Sequence, residues 1–251
     1  MRTKFLLILS ITIAIVAAWA PSAAADSVDD PRLEEVLQVN PGLTLDELSS
    51  SITSYATAEG ITEEAALEIV FENSETARES QDAVSISPAS GGGDDGKQVK
   101  LGCAHQGYYT YSFARNYGVN HGHNVRFVSA CTAIHAPGPD KNLTKVGSNH
   151  PLWHKNAYPA HIRRVNGASL NAHDRAAALA ENRWERNLPY NNNFAFNKTV
   201  WDSKYNCSQL VWAAWMYASD TDLSGHILPG VYPEDLWKKA SQTVLNRYLE
   251  E

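Results

Sequence analysis

The stretch Pro88-Ala89-Ser90-Gly91-Gly92-Gly93-Asp94-Asp95-Gly96 can neither bury apolar surface nor hold regular structure, so it divides the chain into two parts. Each part must find its own way of packing. Residues 26 to 96 carry seventeen acidic side chains against Arg32 and Arg78, whereas residues 97 to 251 carry eleven acidic against seventeen basic ones. Segments of opposite charge on one chain attract each other. The organisation that follows is a leader at residues 1–25, an acidic helical segment at 26–87, a glycine-rich linker at 88–97 and a larger domain at 98–251.

Upstream of the linker the apolar residues recur with helical spacing. One helix carries Leu33, Val36 and Leu37; a second runs from Leu45 to Ile52, entered through Thr44 with Glu47 three residues on; a third runs to Arg78, entered through Thr62. Downstream the pattern changes to aromatic and β-branched runs. Tyr108 to Phe113, His123 to Val128, Thr132 to Ala136 and Thr243 to Leu249 read as strands, and Ser169 to Asn187 as a helix. A short helix starts at Pro233-Glu234-Asp235-Leu236. The fold class is therefore α+β, an antiparallel sheet packed with helices and preceded by a small all-α acidic segment.

Met1-Arg2-Thr3-Lys4, an apolar run from Phe5 to Ala18 and the small residues up to Ala25 have the form of a cleaved export signal, with the mature chain starting near Asp26. The expected location is extracellular or in a bacterial envelope. No later stretch is apolar enough to span a bilayer, so no stable membrane insertion is expected. In an oxidising compartment three cysteines cannot all pair within one chain. A Cys103–Cys131 bridge would leave Cys207 as the free thiol; spacing leaves the other pairings open.

Cys207 is placed to react. Leu210, Val211, Ala214, Trp215 and Ala218 follow it at spacings of three and four, so a helix begins at or beside it with Asn206 as N-cap. The unpaired N–H groups of that helix end favour thiolate over thiol. A thiolate nucleophile needs a base and a third group to fix the base's ring. His123 lies on the strand side shared with Val125 and Phe127, and His135 lies on the return strand. If paired residues have numbers summing to an even value near 258 or 260, the two imidazoles share a face as neighbours; a slip of one residue separates them. His121, two residues before His123, is the alternative base.

Taken in order, Asn120-His121-Gly122-His123, Ile134-His135-Ala136-Pro137-Gly138-Pro139, Pro189-Tyr190-Asn191, Tyr205-Asn206-Cys207-Ser208-Gln209-Leu210-Val211 and Pro233-Glu234-Asp235-Leu236 resemble the circularly permuted papain-like hydrolases, YiiX-like relatives of the NlpC-type cell-wall peptidases. The resemblance covers roughly residues 100 to 250. It implies a papain-like, permuted NlpC-type fold in which Cys207 is the nucleophile, His123 the general base and His135 the third polar residue, where the family often has an acid. It further implies that the substrate is cell-wall (peptidoglycan) peptide or another acyl amide, cleaved through a thioester; His121, Tyr190 and Asn206 are the expected substrate contacts, His121 because its separation by two from His123 puts it on the same strand side. This chain departs from the family at Gly107-Tyr108-Tyr109, where Gly-Asp is common, and at Asn124 and Arg126 after the histidine.

No cofactor is implied, nor any nucleic-acid partner. The acidic segment is an intramolecular pro-segment or an accessory module. Two other readings stay open: a non-catalytic binding domain on the same scaffold, and a zinc protein using His121, His123, His135 and Cys207. His150 and His154 flank Pro151, which argues against a helical metal pair. Trp153, Trp184, Trp201, Trp212, Trp215 and Trp237 are expected mostly in the core or cleft wall, and Arg163 and Arg164 on a solvated edge.

Overall fold

Helical spacing upstream of the linker becomes three helices, α1 (Pro31–Gln38), α2 (Leu45–Glu59) and α3 (Glu63–Ile86). The computed structural model describes residues 30–40, 42–86, 100–112, 115–116, 119–120, 122–147, 160–238 and 241–247. The leader, the glycine-rich linker, His121, His150, Trp153 and His154 lie outside these residues. Thr44 caps α2 as its sequence predicts: its hydroxyl accepts the Glu47 N–H, and the Glu47 carboxylate accepts the Thr44 N–H at 3.0 Å. Gly60, at φ 68°, turns the chain out of α2. Leu33, Val36, Leu48, Ile52, Ala66 and Val70 interlock between the three helices. The third helix runs past Arg78 to Ile86 because no glycine or proline interrupts it before Pro88.

Beyond the linker, six antiparallel strands pair in the order β6-β5-β4-β1-β7-β8: β1 (Tyr109–Ser112), β4 (His123–Ser129), β5 (Thr132–His135), β6 (Thr144–Gly147), β7 (Ala160–Val165) and β8 (Ser241–Arg247). β2 (Arg115–Asn116) and β3 (Val119–Asn120) form a separate ribbon. Alternation gives the sheet two apolar faces. On one, Val125, Phe127, Ala133, Val146, Ala160 and Ile162 gather under Leu101. On the other, Tyr109, Val128, Ile134 and Val165 pack against helices α4 (Leu170–Glu185) and α5 (Cys207–Ser219). A final helix, α6 (Pro233–Lys238), closes the end of α5. The fold is thus α+β, with a cysteine-headed helix against an antiparallel sheet.

Four strands escaped the sequence reading, the two-residue β2 and β3 of the ribbon and two strands of the main sheet. β6 has only four residues, and β7 reads Ala-His-Ile-Arg-Arg-Val, whose two arginines hide its alternation. Arg163 is accordingly not on a solvated edge: it is buried, its guanidinium lies 4.1 Å from the Trp237 ring and it donates to the Trp237 carbonyl at 2.6 Å. Arg164 is exposed. Among the tryptophans, Trp212 and Trp215 are core residues while Trp201 is 65% exposed.

The helical segment belongs to the same compact unit as the sheet, Pro31–Glu251. Neutral hydrogen bonds stitch the seam. Asn40 accepts the Phe194 N–H and donates to the Tyr232 hydroxyl, which also meets Ser74; Asn193 donates to Ser51. Val39 and Ala77 join the cluster built on α5, and Ala195 joins that of the three helices. The ion pairs described for the segment, Arg32 with Glu64 and Glu68 and Arg78 with Glu35 and Glu75, lie within it. Charge also crosses the seam: Glu47 of α2, whose carboxyl the Thr44 hydrogen bonds hold below its usual range, feels Lys204 of the larger domain.

Cys103 and Cys131 are disulfide-bonded, which pins the segment under β1 to the β4–β5 turn, where Ala104 also donates to the Ala130 carbonyl. The bridge closes a loop of 28 residues. Replacing both cysteines by serine should lower unfolding stability by about 3–4 kcal/mol, read as a fall in the denaturation midpoint.

Candidate active site

α5 begins where its capping residue predicts. Asn206, wholly buried, accepts the Gln209 N–H at 2.9 Å and is itself held by Asn197 and Ser208. Asn197 also ties this turn to Val231, donating to its carbonyl and accepting its N–H. Asn206 is thus the frame of the helix end. Its position places Cys207, 3% exposed, as the free thiol against the start of β4.

The thiol takes backbone N–H groups from Asn124 on β4 and from Ser208 and Cys207 on its own helix, each of which favours the thiolate. Burial outweighs them. Loss of water pushes the thiol up to about 12, and the Glu234 carboxylate pushes the same way, so the resting sulfur keeps its proton at neutral pH. The N–H groups of the helix end favour the thiolate as expected, but loss of water is the larger effect. Tyr190, half-buried and electrostatically linked to Cys207, has its phenol held well above the ordinary range by desolvation and then by that sulfur.

The histidine pair forms as the register rule requires. Arg126 pairs with Ile134 and Phe127 with Ala133, sums of 260, so His123 and His135 share a sheet face. Their rings are buried and 78° apart, with Nε2 of His123 at 3.1 Å from Nδ1 of His135. That contact orients the His123 ring through Nε2. By alternation the two imidazoles lie with Val125 and Phe127, on the face opposite the one that α4 and α5 cover. Asn124 takes the position facing α5; its side chain donates to the Thr110 carbonyl at 2.9 Å. Cys207 thus meets the backbone one residue from His123.

Glu234 escaped attention as a site residue. Wholly buried, it accepts from the Tyr111 hydroxyl at 3.4 Å. Gly122 makes its approach possible: φ is 60°, and a Cβ there would lie 2.8 Å from the Glu234 carboxylate. Its sequence signal is the run Pro233-Glu234-Asp235-Leu236, which marks a helix start. Among the described residues no group of three or more His, Cys, Asp or Glu side chains is arranged to hold a metal ion, and His121, which the zinc reading needs, lies outside them.

No family model matches the chain. An uncharacterized Bacillus subtilis (strain 168) protein, YycO, is 26% identical over 219 residues, spanning 84% of this chain and 84% of its own. Among solved structures, the metalloprotein YiiX from Escherichia coli O157:H7 is similar with a TM-score of 0.35 and 16% identity, over 58% of this chain and 98% of that one.

A buried thiol whose folded value lies above its unfolded one adds stability that is complete below about pH 9 and is lost as pH rises toward 12. Urea unfolding across that window should show a steeper loss for the wild-type chain than for Cys207→Ala, by on the order of 1.4 kcal/mol for each unit of raised value.

Proposed function

We propose that this chain is an exported cysteine hydrolase that cleaves an amide bond, in cell-wall peptide or another acyl amide, and that the described form is its closed precursor. The observation that carries this reading is the sulfur of Cys207 at the head of α5, bonded to the N–H of the residue after His123, whose ring His135 holds at 3.1 Å. His123 is the proposed base; because its ring lies on the far sheet face in the described form, the open form must also reorder the start of β4 before the imidazole can take the proton of the sulfur. The thiolate attacks the amide carbon, the N–H groups now on the sulfur are placed to serve the developing oxyanion, and His123 returns the proton to the departing amine. Water, deprotonated by the same imidazole, then cleaves the thioester and restores the thiol. His121 and Tyr190 are the proposed substrate contacts, whereas the wholly buried Asn206 acts by holding the helix end.

The acidic helices keep this site closed. Support comes from Val39 and Ala77, which pack into the cluster holding Cys207, and from the bonds of Asn40 and Ser74 to Tyr232, two residues from Glu234. Cutting within residues 88–97 and removing the helices should raise both the rate of iodoacetamide labelling at Cys207 and hydrolysis, by tenfold or more, roughly the effect of about 1.4 kcal/mol of released burial. Salt screens the attraction between Glu47 and Lys204 across the seam, so release should come more readily at high ionic strength. Unchanged labelling after removal would count against the closed-precursor reading.

One observation favours the binding-domain reading: Asn124, which has no titratable side chain, faces α5 where a base would be expected. Activity separates the two. With peptidoglycan, simple peptides and acyl lipids as substrates and mass spectrometry of products, His123→Ala should lower kcat/KM by about 10²–10⁴-fold and Cys207→Ala should abolish acyl-enzyme. Product formation that survives Cys207→Ala, or none from the opened chain on any substrate, would overturn the hydrolase.

A further inference from the structure

The chain leaves α5 through Asp220-Thr221-Asp222-Leu223-Ser224-Gly225, with oxygen-bearing side chains at the first, third and fifth places and a glycine at the sixth. That spacing opens a calcium-type loop, whose seventh residue adds a backbone carbonyl and whose twelfth adds a carboxylate. The backbone follows the pattern. Asp220 takes φ 54° and Gly225 φ 72°, and the Asp222 carboxylate accepts the N–H groups of Ser224 at 2.9 Å and Gly225 at 3.4 Å. The seventh residue is His226. Val231 stands at the twelfth place, so the loop lacks the closing carboxylate of a divalent-ion site.

A cation is nevertheless in position. The Lys198 ammonium, from the loop before α5, lies 3.0 Å from Oδ2 of Asp222 and donates to the His226 carbonyl, the groups that would face an ion from the third and seventh places. The lysine side chain is only 13% exposed, and its charge lies 5.9 Å from the Trp212 ring. Burial opposes ionisation of Asp222, but hydrogen bonds from Ser224, Trp212 and Lys198 hold its carboxyl well below the ordinary range. One carboxylate meets one ammonium, and the charges balance.

We propose that Lys198 supplies from within the chain the cation that a loop of this type takes from solution, and that the resulting clasp positions α5. Asp222, at its centre, also accepts the Trp212 indole N–H at 2.9 Å, on the second turn of that helix. The backbone N–H of Lys198 bonds to the Pro229 carbonyl at 3.0 Å, and the adjacent Asn197 holds both Val231 and the cap Asn206. The clasp thus ties the flank of α5 to its head. It does so whether or not Cys207 is a nucleophile, so its test needs no turnover.

The test follows the full chain by Tm and by the Trp212 indole N–H resonance. EDTA should leave the wild-type Tm unchanged, whereas Lys198→Met should lower it by about 4 °C or more and shift the resonance. Calcium chloride at about 10 mM, roughly ten times the Kd of the weakest loops of this kind, should recover about half of that loss. Adding Asp222→Asn removes the carboxylate left without its ammonium, so the double variant should lose clearly less than the two single losses together. A wild-type Tm that EDTA lowers would put a metal where the lysine is assigned and overturn the clasp. Losses that add in full, or a Lys198→Met chain that calcium leaves unmoved, would overturn it as well. Should Lys198→Met fail to fold, the double variant, which holds no lone charge, must fold for the proposal to stand.

Discussion

Burial of α5 on every side is the constraint from which the rest of the larger domain follows. Every residue from Cys207 to Trp215 is buried, so the helix needs a partner around its whole circumference. The sheet supplies one side, α4 another, and the loops around Asn191 and Val231 the end. Such a helix cannot leave its first N–H groups to water, which is why asparagines crowd its start: Asn206 caps it, Asn197 holds Asn206, and Asn191 holds Gln209. The same enclosure that makes the domain pack also strips water from the sulfur. Stability of the helix end and inertness of the resting thiol have one cause.

That cause explains what could be read from the sequence and what could not. Local signals were sufficient where a few neighbouring residues decide the outcome: Thr44 and Glu47 for a helix start, Asn206 for another, strict alternation for β4 and the even register that joins His123 to His135. They failed where a distant segment decides. The protonation of Cys207 depends on how completely Tyr190, Glu234 and β4 exclude solvent, and no spacing encodes that. Arg163 reads as a surface residue because arginine usually is one, whereas Trp237, far along the chain, gives it a flat ring to lie on. The sheet face on which an imidazole projects relative to a helix is likewise set only when the layers assemble.

The charge partition illustrates the same division. Net charge differs sharply between the two parts of the chain, yet the hydrogen bonds described at the seam join amide and hydroxyl groups, with Glu47 and Lys204 as a charged pair beside them. Acidic side chains of the helical segment find their cations at home, on Arg32 and Arg78. Uncharged hydrogen bonds of this kind gain specificity from geometry, since each amide must meet its partner.

The outermost strand β6 has a consequence for behaviour at high concentration. It offers four residues, and its one long charged side chain, Lys145, is folded back onto α4, bonded to Glu181 at 2.7 Å and lying 4.7 Å over the Trp184 ring. A strand from another molecule would find a short template with a lysine anchored beside it. Cross-chain sheet extension, a common route to fibrous deposits, is disfavoured along this margin, so the fold tolerates crowding there without a covering partner.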